Sequence, residues 1–567
     1  MADIDTSPLA FSGAPQNLGQ AVSIRWKSLD DIWQKYKPLL EDITDLVNPR
    51  RYDLDDNLER GKKRGTEIYD GTALGALNVW ADGIQGFMVS QSMRWFRSVM
   101  ATAQLNKIDE VRAWLQEYDE AMYAAFSRGN FYAVLGEWVR DAGSIGTATM
   151  YTEEDISGKS AVHIPMHPRE IRIAENRHGQ VDTVYRKFTL TARQAVQQFG
   201  INRGNQSTGK LPERVYKLAE RNPETTIKFI HAVHPNNERM FNKWDQTNKL
   251  WSSIYVIEGE QIVVRQGGYD IMPYTVWRFR KNSDEVYGYS PAADAIIEVF
   301  GLNQIGKSMY SAAQLSVEPP MNIPAEMRGE VRLAPKGRNY YDDPQRVITP
   351  IQQGINFPIG IDREERLQKS IEDKFGVDFF LTLTRARMQN RELTATEVNE
   401  LQSEKAQLMG AQVDRLINEG LSKLFDIVSE IEDRAGRLPP APELVYEAGG
   451  RISIDFIGPL VQAQKRLFLT QPIMKAVQDL APVAQLWPGA LDWFDEDEAA
   501  ELILESHNVP QRVVRNGEEV ARIREARAAA AQQQQILEGA SAAAEAVPKL
   551  SKSPETGSPM EAMMGGV

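Results

Sequence analysis

Cysteine is absent from this 567-residue chain. That absence removes disulfides, thiolate nucleophiles, iron–sulfur clusters and the cysteine-based structural zinc sites. Histidine is scarce, at six residues, so acid–base chemistry would have to rest mainly on carboxylates. No apolar run approaches the roughly 18 residues that a bilayer span needs. The opening MADIDTSPLAFSGAPQ lacks the basic start and apolar core of a signal peptide. A soluble protein that stays in its compartment of synthesis, with no membrane partner, is the expectation. Positive charge is not in excess either: 65 Lys and Arg stand against 78 Asp and Glu, a net charge of −13. A protein that grips DNA tightly usually carries a basic surplus, because phosphate neutralisation dominates affinity. The acidic balance argues against a gripping binder and leaves room for a protein that surrounds DNA loosely and lets it slide.

What is present is a normal globular composition, 42% apolar and 25% charged, on a chain long enough for several domains. Residues 1–20 are small and polar and read as a flexible arm. Apolar residues recur with helical spacing from Ile24 to about Val47, then over 72–90, 106–128 and 131–141. After Gly143 the pattern changes. Segments 146–152, 161–165, 171–174, 181–190, 227–234, 253–257 and 261–265 are short, β-branched and bounded by turn residues, which predicts strands. Helices are expected at 191–199 and 213–221, giving a mixed body of largely antiparallel sheet, an α+β chain overall.

Helix returns at Ser290, which can cap, followed by Pro291 at the first helical position and Asp294 at the positive end. Apolar or small residues continue until Pro319-Pro320. Residues 319–360 hold seven prolines and read as a compact projection. A second helix is expected from about Asp362 to Arg385. A polar link, Met388-Gln389-Asn390-Arg391-Glu392-Leu393, precedes the longest helix, whose start has capping-box spacing at Thr394 and Glu397. Gly436 and Pro439-Pro440 end it. A short strand follows at 451–457. The remainder reads as helical, with an Ala/Gln-rich stretch from Glu518 to Ala546 and a disordered tail.

Several segments, in this order, resemble the portal or head-to-tail connector proteins of short-tailed phages. They are IRWKSLDDIWQKYKPLLEDITDLVNP, EWVRDAGSIGTATMYTEED, YGYSPAADAIIEVFGLNQIGKSMYSAAQLSVEPP, and RELTATEVNELQSEKAQLMGAQVDRLINEGL with DRAGRLPPAP after it. The resemblance covers about residues 20–460. It implies a wing (21–289 and 395–460), a stem of two helices (290–318 and 362–386), a clip (319–361), a tunnel loop (387–394), and a helical crown with a possible barrel (461–547). Residues 548–567 would be the tail. It further implies a structural, non-enzymatic role in the virion. Twelve subunits would form a ring around passing double-stranded DNA. Partners would be the terminase large subunit, a tail adaptor or head-completion protein, the major capsid protein and scaffold, and internal core proteins. No catalytic residue, metal or cofactor is expected. The tunnel-loop candidates are Met388, Gln389, Asn390 and Arg391. Channel-facing basic candidates are Lys307, Arg363, Arg366, Lys369, Arg385 and Arg387, some of which must pair with Glu364, Glu365, Glu372 or Asp373.

Two other classes compete. Gly301-Leu-Asn-Gln-Ile-Gly306-Lys307-Ser308 fits the phosphate-binding pattern GxxxxGK[ST]. In an ATPase, Lys307 would reach the terminal phosphate, Ser308 would hold magnesium, and residues 295–300 would be the required strand. Asp455 is the best partner carboxylate. Against this, helical spacing runs straight through the motif, and Gly301 and Gly306 would then serve close helix packing. The third class is a helical scaffold or adaptor without a channel. Smaller features have bland readings. His163 with His167, and His231 with His234, are expected to be satisfied or exposed histidines and not metal ligands. Arg60-Gly-Lys-Lys-Arg64 reads as a solvated loop. Asp492 to Glu498 is either a capped helix start or a docking patch.

Overall fold

The structure is a computed structural model. It describes residues 17–51, 53–54, 64–102, 104–155, 158–200, 211–240, 242–243, 245–317, 321–322, 349–350, 357–381, 410–458, 461–462, 465, 470–487, 489, 493, 495–506, 509, 514–515 and 517–550. Two compact units divide the chain. One comprises Met1–Ser98, Gln116–Pro440 and Ile454–Gln471; the other comprises Val99–Leu115, Ala441–Ser453 and Pro472–Val567. The fold is α+β, as expected.

In the first unit, α1 (Leu18–Trp33) starts behind Asn17, whose side chain accepts the Gln20 N–H at 2.7 Å. Residues 18–20, expected in a flexible arm, are therefore helical. The single helix expected through Val47 is two: the chain turns at residues 34–36, and α2 (Lys37–Leu46) carries Pro38 in its first turn. Proline suits that position, but it cannot donate the bond a continuous helix would need there. Helix α3 (Thr72–Met88) falls where expected. Strand β1 (Phe96–Met100) was not foreseen. Helices α4 (Asp109–Arg128) and α5 (Phe131–Ser144) follow.

Two antiparallel sheets form the body. In the first, β2 (Thr147–Glu154) lies between β3 (Ala161–Met166) and β9 (Tyr274–Arg278), so that Thr149 pairs with both Met166 and Val276. The second is a five-stranded meander in the order β4 (Ile171–Glu175), β5 (Val181–Thr191), β6 (Thr226–Pro235), β7 (Trp251–Ile257) and β8 (Ile262–Tyr269). Alternation assigns its two faces. Tyr185, Ile230, Ala232, Ile254 and Val256 pack against Val22, Trp26 and Leu29 of α1. Phe188, Phe229, Tyr255 and Ile257 pack against α6 (Ala192–Phe199) and α7 (Glu213–Arg221). A Thr191–Gln194 capping box starts α6. Tyr151, Val233, Tyr274 and Val276 join the two sheets, with Trp33 and Leu40 against them. A separate aromatic core gathers Trp95, Phe96, Phe126, Phe131 and Phe425.

From this body leave α8 (Pro291–Val317) and, after the short paired strands β10 (Met321–Asn322) and β11 (Thr349–Pro350), α9 (Phe357–Phe375). The second helix was expected over 362–386. It begins five residues earlier and breaks at Gly376, whose φ of +65° is the left-handed stop that favours glycine. Residues 377–381 are helical again. The later long helix is described from residue 410: Gly410–Arg415, a π-helical turn Leu416–Leu421, then Ser422–Arg434. It stops at Gly436, φ +65°, as expected. Strand β12 (Ile452–Phe456) also falls where expected.

The second unit contains helices Gln471–Leu486, Glu496–Ser506 and Gly517–Leu550, the last covering the Ala/Gln-rich stretch and the first three residues of the expected disordered tail. Asp495 caps the second of these, its Oδ1 accepting the N–H groups of Asp497 and Glu498 at 3.0 and 3.1 Å. The acidic run is thus a capped helix start, and Arg524 binds Asp497 with two bonds of 2.8 and 2.6 Å. Among the described residues no helix is long and apolar enough to cross a membrane.

Candidate functional site: a two-helix hairpin

Ser290 starts α8 as its sequence suggested. Its Oγ accepts the Ala293 N–H at 3.0 Å and donates to the Ser144 carbonyl at 2.7 Å, tying the helix root to α5. Helices α8 and α9 run antiparallel through three contacts. Lys374 Nζ donates to the Asp294 carbonyl at 2.7 Å and pairs with Glu298. Gly301 faces Leu367, whose Cδ1 lies 3.6 Å from where a Cβ would stand. Gly360 of α9 lies against Met309. On another side of α8, Asn303 accepts the Tyr69 N–H at 2.7 Å and donates to the Glu67 carbonyl at 2.9 Å, and Gly306 approaches Tyr69. Of the two glycines in the phosphate-binding pattern, Gly306 serves close packing, with Tyr69 Cβ 3.2 Å from where a Cβ would stand, whereas Gly301 meets Leu367 only at ordinary contact distance.

The ATPase reading is overturned. Residues 301–308 lie inside one continuous helix, and the expected strand 295–300 is its preceding part. A phosphate-binding loop needs free backbone N–H groups, and a helix interior has committed them to carbonyls one turn back. Asp455, the partner carboxylate, instead binds Arg97 at 2.8 Å and Lys465 at 2.6 Å.

Four of the channel candidates are described. Lys307 is exposed, its Nζ 5.9 Å from the Tyr69 ring centroid. Arg363, Arg366 and Lys369 are exposed on the outward arc of α9. Arg366 pairs with Asp362, one turn back, at 3.0 Å, not with the four acids expected. That arc holds Asp362, Glu365 and Asp373 against Arg363, Arg366 and Lys369, three acids and three bases. Arg385 and Arg387, the link Met388, Gln389, Asn390 and Arg391, and most of the Pro-rich 319–361 lie outside the described residues, as do residues 60–63 of the basic cluster. Arg64 pairs with Asp53 at 3.5 Å.

Among the paired histidines, His231 is bonded at both ring nitrogens, whereas His163 and His234 bond through Nδ1 and keep Nε2 buried without a hydrogen-bond partner. His163 Nδ1 bonds Thr152 Oγ1 at 3.0 Å, and burial pushes its pKa down to about 4. His231 sits between Tyr274 Oη and Ser253 Oγ at 2.8 and 3.0 Å and is held well below its ordinary value by burial. His167 caps a short turn through the Arg169 N–H, and His234 meets the Pro235 carbonyl. Among the described residues no group of three or more His, Asp or Glu could hold a metal ion. A mostly apolar pocket at the foot of α8 is lined by Trp33, Tyr36, Leu40, Tyr287 and Ala293, with Glu285 the one charged residue among the described residues of its lining.

Sequence reasoning missed the buried charges. Arg278 is 1% exposed and binds Glu175 and Glu419; Arg51 binds Asp141 with two bonds of 2.7 and 2.6 Å. Their partners are 90 to 141 residues away, so no local pattern marks them.

Two antiparallel sheets bearing a helical hairpin, tied down at Ser290, are the architecture that the described residues define. The chain belongs to the bacteriophage head to tail connecting protein family, whose sequence model matches residues 19–514. It is 30% identical over 538 residues to the "Probable portal protein" of Bordetella phage BPP-1, covering 92% of this chain and 94% of that one. It is 28% identical over 526 residues to the "Portal protein" of Salmonella phage epsilon15, covering 90% and 91%. A chain from the "Virion of native gene transfer agent (GTA) particle" aligns over 74% of this chain and 86% of its own, at 10% identity and a TM-score of 0.28, too low to bear on the fold. The chain is a structural component of a phage virion with a portal, or head–tail connector, role and is not an enzyme.

Proposed function

We propose that twelve copies close into a ring at one capsid vertex, forming the channel through which double-stranded DNA enters during packaging and leaves during ejection. The observation that carries this is the match to proteins named portal over nine-tenths of both chains. In this reading residues 21–289 and 395–460 are the wing, 290–318 and 362–386 the stem, and 319–361 the clip. The clip docks the terminase large subunit and later the tail adaptor. Residues 387–394 are the tunnel loop and 461–547 the crown and barrel. The major capsid protein, scaffold and internal core proteins complete the partners, and assembly takes place in the host cytoplasm.

Charge supports a sliding channel. Each phosphate contact adds affinity, so a strongly basic lumen would stall DNA. A chain of net charge −13, with an outward arc on α9 that balances three acids with three bases, keeps contacts weak while Arg363 and Lys369 centre the duplex. The test is electron-microscope imaging of the purified chain, averaged down the symmetry axis. Rings of about a dozen subunits with a duplex-wide hole are expected. Monomers, or closed oligomers without a hole, would overturn the reading. Submicromolar DNA binding with a steep salt dependence by intact rings would overturn the weak-contact lumen.

A further inference from the structure

The pocket at the foot of α8 joins three elements, since Leu40 of α2, Thr147 of β2 and Ala293 of α8 all line it. Its buried wall is apolar, with Trp33 and Ile145 beside Leu40. Its partly exposed rim carries Tyr36, Tyr289 and Glu285. Folding has already engaged most of the hydroxyls in the lining. Tyr287 Oη accepts the Ile173 N–H at 3.4 Å, and Thr147 Oγ1 accepts the Gly288 N–H at 2.7 Å. Ser290 Oγ is taken on both sides, and Tyr36 is hydrogen-bonded to the Val286 backbone.

Glu285 differs from these groups. Asn282 Nδ2 donates to its Oε2 at 3.0 Å, but among the described residues no Lys or Arg pairs with it. The two basic side chains nearest in sequence are committed elsewhere, Arg280 to Asp294 at 2.6 Å and Lys281 to Glu175 at 3.0 Å. Burial, and after it the Glu285 charge, raises the Tyr36 pKa; burial, Asp294 and Glu285 raise that of Tyr289. One unpaired carboxylate is therefore felt at both rim tyrosines.

We propose that this pocket binds a small arylalkylammonium ion, its aromatic body against the apolar wall and its ammonium on Glu285 between Tyr36 and Tyr289. A mostly apolar pocket with a single converging polar group is the common form of a small-molecule site. The free group sets the sign of the ligand. An anion would meet a carboxylate, and a neutral body would cover that carboxylate without replacing its lost hydration. An ammonium pairs with it and is attracted to the faces of the flanking rings. Because α2, β2 and α8 all touch the occupant, binding stiffens the joint at which the hairpin leaves the body. The site stands apart from the ring reading and is tested on the full chain in whatever assembly it adopts.

The test uses three probes that share one body: phenylpropylammonium, phenylpropanol and phenylpropionate. Ligand-observed NMR titration gives a Kd for each. The ammonium is expected to bind about tenfold more tightly than the alcohol, the size of a charged hydrogen bond, and the propionate most weakly. Glu285→Gln should weaken the ammonium about tenfold and leave the alcohol little changed. Asp284→Asn, which removes the exposed acid next to it, should leave all three unchanged. Equal affinities across the probes, or no saturable binding of the ammonium up to millimolar concentration, would overturn the site. So would an undiminished affinity in Glu285→Gln, or an equal loss in Asp284→Asn. An unchanged melting temperature of the free Glu285→Gln chain shows that it is folded; if it melts early, the charge series on the unmodified chain decides alone.

Discussion

Arg278 and Glu419 lock strand β9 to the π-helical turn Leu416–Leu421 with three hydrogen bonds. The backbone N–H and Nε of Arg278 each donate to Glu419 Oε2 at 3.1 Å, and Nη2 donates to Oε1 at 2.7 Å. The guanidinium also binds Glu175 and the Gly179 and Val286 carbonyls, at 3.0 and 3.2 Å for the latter two. Within the turn, Gly420 lies so close to the Trp138 ring that an added Cβ would fall 2.8 Å from it. A turn wider than an α-helical one is thus held on one side by a buried ion pair and on the other by an indole.

Removing one member of such a cluster leaves buried charge unpaired. Arg278→Met should cost about 3–5 kcal/mol in denaturant unfolding. Arg366→Ala breaks an ion pair whose members are 78% and 62% exposed and should cost less than about 0.5 kcal/mol. Equal effects from the two would mean that the buried cluster contributes no more than a surface pair.

Asp119 is buried beneath β1, and desolvation raises its pKa to about 7 although the Ser98 N–H donates to it at 2.9 Å. The folded state therefore holds its proton where the unfolded chain, near 3.8, has lost it. This group's contribution to stability is complete at low pH and is lost as pH rises to about 7. Subtracting the stability–pH curve of Asp119→Asn from that of the unmodified chain should give a difference falling over this window. A flat difference curve would refute the assignment.

His163 works in the opposite sense. Burial lowers its pKa from 6.5 to about 4, so the unfolded chain takes up a proton first on acidification. Its contribution is present above pH 6.5 and is lost as pH falls toward 4. His163→Gln should flatten the acid side of the melting-temperature profile, measured between these limits.

Gly146 has φ +84°, and a Cβ there would fall 2.4 Å from the Gly288 carbonyl oxygen. Gly376 has φ +65° with open space around it. Gly376→Ala should cost about 1–2 kcal/mol, the left-handed penalty alone. Gly146→Ala should cost clearly more in the same unfolding measurement, because two backbone segments must separate.

If α9 lines the channel, Arg363→Gln, Arg366→Gln and Lys369→Gln together should leave rings intact and reduce DNA retention in a packaging assay. Replacing Met388, Gln389, Asn390 and Arg391 with glycine should do the same through the tunnel loop. Unchanged packaging in either case would remove those residues from the channel.

The strands at β2 to β8 were legible because their segments are short, β-branched and bounded by turn residues, and α8 was legible because Ser290 and Pro291 announce a helix start. Strand β9, all five of whose residues are buried, was missed. Strand β1 was hidden by the aromatic cluster of Met93, Trp95 and Phe96. The helix from Ile24 to Val47 was over-extended because apolar spacing continues across Pro38 while the backbone cannot. Gly376 interrupts an otherwise helical pattern for a similar reason, a single left-handed residue that periodicity does not register.

By itself the sequence settled what acts within a turn or two: the cap at Ser290, the helical course through Gly301–Ser308 that defeats a phosphate-binding motif, and the ordered segments that mark a head-to-tail connector. Tertiary structure decided which charges are buried and which surfaces are left open. Arg97 finds Asp455 across 358 residues and Arg278 finds Glu419 across 141. Which side of α8 stays open was decided only once α9 and Tyr69 had packed against the helix. Capping and propensity are local energies readable from neighbours, whereas pairing and exposure depend on segments that only folding brings together.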